Sequence, residues 1–144
     1  MIGMEERFST ALHGTARAWR QLLDRRMRDL GVSQAGWTTI ALVAKARTPL
    51  SQSELAGSLG VEGPSMVAML DRLQKAGLIV REQSAADRRV KLVRLTDDGK
   101  LLYRQVRDKA AAFRSELLRG IDSDQLAVAT ALLERLQADL ESKA

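Results

Sequence analysis

Asp87-Arg88-Arg89 is the short run in this chain whose residue types and spacing best suit chemistry, and that chemistry is recognition of a polyanion. A tight hairpin tipped by two arginines can enter a minor groove, where the negative potential deepens along narrow A/T-rich tracts. Asp87 sits close enough to accept hydrogen bonds from one guanidinium or from the turn backbone, which would fix the tip. Lys91 extends the positive charge along the hairpin. Earlier in the chain Ser65, Ala68, Met69 and Arg72 fall on one side of a helical wheel, opposite Met66, Leu70 and Leu73, with Val67 toward one edge of that apolar side. The first group is short-chained near the helix start, which lets backbone approach base edges in a major groove. Ser65 can donate to a base or phosphate, the Ala68 and Met69 methyls suit thymine methyls, and Arg72 suits a phosphate. Catalytic constellations are not assembled: His13 is the only histidine, there is no cysteine, and neither clustered carboxylates nor a glycine-rich phosphate loop accompanies it. The expectation is a chain that is not an enzyme and that takes no metal or other cofactor.

These residues need elements to hold them, and the local signals supply an order. Ser51-Gln52-Ser53-Glu54 reads as a capping box opening a helix, with Leu50 and Leu55 as a hydrophobic staple. Gly60 closes a turn, and Glu62-Gly63-Pro64-Ser65 opens a second helix, where proline is tolerated in a first turn that needs no N–H. Gly77 ends that helix, Leu78 to Arg81 begins a strand, and Val90 to Leu95 returns it. This is the order of a winged helix-turn-helix, in which Ser51 and Gln52 join the candidate DNA contacts beside Ser65, Ala68, Met69, Arg72, Arg88, Arg89 and Lys91.

Long helices flank the module. Phe8, Leu12, Trp19, Leu23 and Met27 mark one from residue 5 to about 30. A second runs from about Ser33 to Ala46, with Trp37, Ile40, Ala41 and Ala44 as its apolar stripe, and Pro49 after it. Thr96 caps a helix that carries Asp97 and Asp98 in its first turn and ends at Gly120. Asp122 or Ser123 caps the last, where Leu126, Ala129, Leu133, Leu136 and Leu140 repeat at 3-4-3-4 spacing. The fold class is therefore mainly α with a small β-hairpin wing. Residues 1–144 form one domain, with a DNA-binding lobe at about 33–96 and dimerisation helices at about 5–30 and 97–141.

Charge distribution agrees with this plan. The 144-residue chain carries a formal net charge of +5, with an isoelectric point near 10.1. Arg81, Arg88, Arg89, Lys91 and Arg94 outnumber Glu82 and Asp87 in the hairpin, whereas acidic residues dominate from residue 121 onward. Positive charge is concentrated where a duplex would lie. No secretory signal or membrane-length apolar run is visible, so the expected location is cytoplasmic. A module that uses its winged helix for protein or RNA contacts, without ligand sensing, is the competing reading. Few aromatics are available for stacking single-stranded bases, and a steep salt dependence of duplex binding separates the two.

Leu55-Ala56, Leu59-Gly60-Val61, Pro64-Ser65-Met66-Val67, Leu70-Asp71-Arg72-Leu73, Gly77-Leu78-Ile79, Asp87-Arg88-Arg89 and Leu95-Thr96-Asp97-Asp98-Gly99 together resemble the MarR family of transcriptional regulators. Trp37 after Val32-Ser33-Gln34 resembles its SlyA branch. The resemblance covers nearly the whole chain. It implies a homodimer built by the terminal helices and a pseudopalindromic double-stranded operator; the expected mechanism is occupancy of a promoter that blocks polymerase or a competing silencer, with repressor as the working expectation and the sign of regulation left open. It also implies recognition contacts at Pro64, Ser65 and Ala68, and a minor-groove role for Arg89. Ala68 departs from the arginine that SlyA-like proteins often carry there. The family further implies a small aromatic carboxylate or phenolic effector in a cleft that would include His13, Arg17, Trp19, Trp37 and Thr38, with Arg17 pairing a carboxylate and Trp37 stacking on a ring. Peroxide sensing through cysteine is excluded by composition.

Overall fold

The computed structural model describes residues 1–144, which fall into two compact units, Met1–Ala111 and Ala112–Ala144. The first unit begins with α1 (Met4–Met27), continued by a 3-10 turn at Arg28–Leu30, and α2 (Gln34–Lys45). Ser33 caps α2 by accepting from the Gly36 N–H at 3.1 Å. β1 (Leu50–Ser51) follows, then α3 (Gln52–Leu59) and α4 (Gly63–Lys75). The Ser51 hydroxyl accepts from the Glu54 N–H at 3.0 Å, the cap that the serine–glutamate spacing predicts. Gly60, at φ 66°, takes the left-handed conformation that ends α3.

The wing consists of β2 (Ile79–Gln83) and β3 (Lys91–Leu95), paired antiparallel so that Ile79 faces Leu95 and Gln83 faces Lys91. β1 adds a third strand on the other edge of β3, giving the order β1-β3-β2. This two-residue strand is too short to carry a periodic pattern. Its pairing of Leu50 with Val93 comes from the tertiary fold. The core gathers around this sheet: Met27, Ile40, Leu55, Met66, Leu70, Ile79 and Val93 are essentially inaccessible, with Leu73, Leu102 and Val106 beside them. Burying such side chains stabilises by roughly 1.5–3 kcal/mol each. Trp37 closes one side, and its indole N–H donates to Asp24 Oδ1 at 2.9 Å, joining α2 to α1.

The base of the wing is clasped to the start of α5 (Asp97–Leu118). The Thr96 N–H donates to the Leu78 carbonyl at 3.1 Å. Its hydroxyl donates to the Gly77 carbonyl at 2.6 Å and accepts from the Gly99 N–H at 3.1 Å. Gly99 is obligatory on steric grounds, because a Cβ there would lie 2.0 Å from the Leu78 carbonyl oxygen. The Leu-Thr-x-x-Gly motif is thus a joint between the end of the recognition helix, the hairpin and α5.

In the second unit, the end of α5 turns at Gly120 into α6 (Ser123–Glu141). Asp122 is the cap, its carboxylate accepting from the Gln125 N–H at 3.1 Å. Leu126, Leu132 and Leu136 are half-buried, whereas Val128, Leu133 and Leu140 are exposed. No helix is long and apolar enough to cross a membrane.

Candidate nucleic-acid interface

α4 presents Pro64, Ser65, Ala68 and Arg72 to solvent. Met69 does not join them: at 9% exposure it belongs to the core cluster. Helical geometry explains the correction. Met69 lies three residues after Met66 and four before Leu73, so it shares their stripe, whereas Val67 turns away and is 40% exposed. Val67 is therefore the large apolar side chain that α4 exposes, and Ser65, Ala68 and Arg72 form the exposed edge.

Ser51 is also corrected. Its residue is 8% exposed and its hydroxyl is committed to the α3 cap, so that side chain is not offered to a ligand. Gln52 is half-buried, with its amide oxygen turned toward Arg81.

Arg88, Arg89 and Lys91 are exposed on the wing, and the Arg89 side chain is 90% accessible. Asp87 makes both kinds of bond expected of it. Oδ1 accepts from the Arg89 backbone N–H at 3.0 Å and from Nε at 3.2 Å, while Oδ2 accepts from Nη2 at 3.2 Å. The Arg89 guanidinium, and then its backbone N–H, hold the Asp87 carboxyl below the ordinary aspartate range. The Val90 N–H donates to the Asp87 carbonyl and the Ser84 N–H to the Val90 carbonyl, at 3.0 and 2.8 Å, so the tip is a hydrogen-bonded turn. At the wing's base Arg94 pairs with Glu82 across the strands.

One residue central to this surface escaped sequence reasoning. Arg81, on β2, donates to Asp71 Oδ1 at 2.5 Å and Gln74 Oε1 at 2.7 Å on α4, and makes a longer contact of 3.4 Å with Gln52 Oε1 on α3. Its side chain is 17% exposed. The guanidinium fork therefore ties wing, recognition helix and first helix together. The signal available in the sequence was the i, i+3 pair of acceptors, Asp71 and Gln74, on the polar face of α4.

Of the residues expected to line an effector cleft, His13, Arg17, Trp19 and Trp37 do not border the cavity found beside α4. His13 and Arg17 are exposed on α1, Trp19 is half-buried, and Trp37 is spent in the core. That cavity, of about 340 Å³, is lined by Thr38 of that set together with Arg20, Gln34, Ala35, Leu59, Val61, Ser65, Met66, Met69 and Arg72.

Comparison with known proteins agrees with this geometry. The MarR family model matches residues 42–91, which span the end of α2, the helix-turn-helix and the wing. The solved transcriptional regulator PA3341 is 42% identical, with 94% of this chain and 98% of that one covered at a TM-score of 0.83. A MepR variant from S. aureus, bound to an oligodeoxyribonucleotide, is 22% identical over 92% of this chain and 97% of its own, with a TM-score of 0.64. The transcriptional regulator SlyA is 17% identical over 94% and 95%, with a TM-score of 0.79. With a helix-turn-helix, a basic wing and a whole-chain relative at this identity, the chain belongs to the MarR family of DNA-binding transcriptional regulators.

Proposed function

We propose that this chain acts as a homodimer that reads a pseudopalindromic operator in double-stranded DNA and represses by occupying it. The observation that carries this is the pair of exposed elements, the Ser65–Ala68–Arg72 edge of α4 and Arg89 on the wing, with Arg81 tying the wing to α4. In this reading Ser65, Pro64 and Ala68 approach base edges, Arg72, Arg88 and Lys91 meet phosphates, and Arg89 enters the minor groove. Gln52 contributes at the α3 start and Asp87 supports the tip. Residues about 33–96 serve as the DNA lobe and about 5–30 and 97–141 as dimerisation helices. Exposed Met4, Phe8 and Leu12 on α1, and exposed Leu133 and Leu140 on α6, support that assignment. Two lobes would read half-sites about one helical turn apart. The MepR variant's bound oligodeoxyribonucleotide supports DNA binding by this fold. Trp37 after Val32-Ser33-Gln34 supports placement in the SlyA branch.

A small aromatic carboxylate or phenol as effector is supported by the cavity beside α4. Arg20 and Arg72 supply charge, Thr38 a hydroxyl, and Leu59 and Met66 an apolar wall. Because Ser65 and Arg72 also line it, occupancy would compete with DNA for the same edge.

The test uses a duplex selected from random sequence by the purified protein. Arg89→Ala is expected to weaken binding at least tenfold while light scattering still gives a dimer. Unchanged affinity removes the wing from the mechanism, and a monomeric mass at micromolar concentration removes the two-fold operator. Benzoate is expected to lower duplex affinity in the parent protein and not in Arg20→Ala.

A further inference from the structure

A second hollow, of about 560 Å³, lies away from the recognition edge, between the end of α2, β3 and the first turns of α5. It shares no residue with the α4 cavity or with the DNA contacts proposed above. Arg47, Arg94, Lys100, Arg104 and Arg107 all line it, and no carboxylate does. Lys100, Arg104 and Arg107 are stacked on one face of α5 by their i, i+4, i+7 spacing. Arg94 and Arg107 are partly compensated from outside the hollow, by Glu82 and Asp108. Arg47, Lys100 and Arg104 take part in no ion pair.

Like charges gathered on a concave wall repel one another, and low-dielectric walls focus their field into the hollow. A single carboxylate would answer only one of the three free cations. The lining also has apolar side chains, Val43, Ala44 and Leu95 among them, and Tyr103 contributes an aromatic ring. The volume lies in the usual range for small-molecule sites. We infer that this hollow is an anion site for an organic diphosphate of the nucleoside-diphosphate type, with Arg47, Lys100 and Arg104 on the phosphates and Tyr103 against the organic ring.

The experiment is calorimetric titration of the full-length protein with ADP, with pyrophosphate and with AMP. Wild type is expected to bind one ADP per chain, more tightly than AMP. Arg104→Ala and Lys100→Ala are each expected to weaken ADP at least tenfold. Tyr103→Ala is expected to weaken ADP and leave pyrophosphate unchanged, with thermal melting establishing that each variant is folded. Arg72→Ala in the other cavity is expected to leave ADP binding unchanged. Absence of saturable ADP binding by wild type overturns the proposal, as does equal weakening by Arg72→Ala. Tyr103→Ala without effect on ADP overturns the organic half and makes bare pyrophosphate the occupant. Duplex binding separates the remaining source of phosphates: Arg104→Ala is expected to leave its salt dependence unchanged, and a slope reduced by about one per protomer would mean that DNA backbone occupies the hollow instead.

Discussion

Arg81→Ala isolates the positioning of the DNA surface from its charge. Arg81 bonds Asp71 and Gln74 at 2.5 and 2.7 Å and touches Gln52 at 3.4 Å. Asp71 is 58% exposed, so the ion pair itself is screened by solvent and is worth about 0.2–1 kcal/mol. The hydrogen bond to Gln74 adds about 1 kcal/mol. The clamp therefore amounts to about 2 kcal/mol per lobe, which bounds the loss of duplex affinity at about 30-fold per lobe if all of it serves to hold wing and α4 in register. Arg81→Lys is expected to lose most of this as well, because an ammonium cannot match the fork. The assay is fluorescence anisotropy on an operator duplex over a salt series. Arg81→Ala is expected to lower affinity with an unchanged slope of log K against log salt, since a residue turned into the protein releases no counterions. Arg89→Ala, by contrast, is expected to lower the slope by about 1.8 for the two wings of a dimer. Undiminished affinity in a folded Arg81→Ala protein would refute the clamp, and a slope that falls as it does for Arg89→Ala would make Arg81 a phosphate contact.

Two further perturbations test local geometry. Gly99→Ala must push the hairpin base off α5, because its Cβ would sit 2.0 Å from the Leu78 carbonyl. A loss of about 3 kcal/mol, or a fall in Tm on the order of 10 °C, is expected by thermal melting. Gly57→Ala, which meets nothing within 4 Å, is expected to raise Tm slightly, and equal behaviour of the two would refute the steric account. Asp87, whose carboxyl is held low by Arg89, keeps its ionised partner role above the ordinary aspartate range and loses it only as pH falls through the lowered folded value. Its titration followed by carboxyl NMR is expected to have a midpoint below the ordinary aspartate range in the parent, returning to that range in Arg89→Ala. Coincident midpoints would show that the pairing is not formed in solution.

The elements that punctuate themselves were legible in the sequence. Ser33, Ser51 and Asp122 announce helix starts by cap chemistry, Gly60 and Gly77 announce ends, and the Thr96–Gly99 spacing marks the start of α5. Properties set by tertiary neighbours were not legible. β1 exists because Leu50 meets Val93, and no two-residue pattern encodes that. The edges of the α4 stripe depend on what covers each side, which places Met69 inside and Val67 outside. At the site, the exposed arginines were visible as charge, but Arg81 looks the same in sequence as Arg88. Only the pairing of β2 against α4 turns it inward. Trp37 has the residue type of a ring-stacking site, and its use in the core follows from Asp24 standing opposite its indole N–H.

The clasp at Thr96 makes α5 a lever. Within the first unit the helix runs 15 residues, Asp97 to Ala111, and so extends about 22 Å from a joint that grips both the end of α4 and the hairpin. With the Gly77 and Leu78 carbonyls both held by Thr96, and Gly99 leaving no slack above Leu78, a tilt of α5 is not absorbed in a hinge. A rotation of about 5° at that fulcrum moves Ala111 by about 2 Å over a helical segment of this length. On the proposed reading, torque on α5 would pass through the clasp to the end of α4 and the hairpin together.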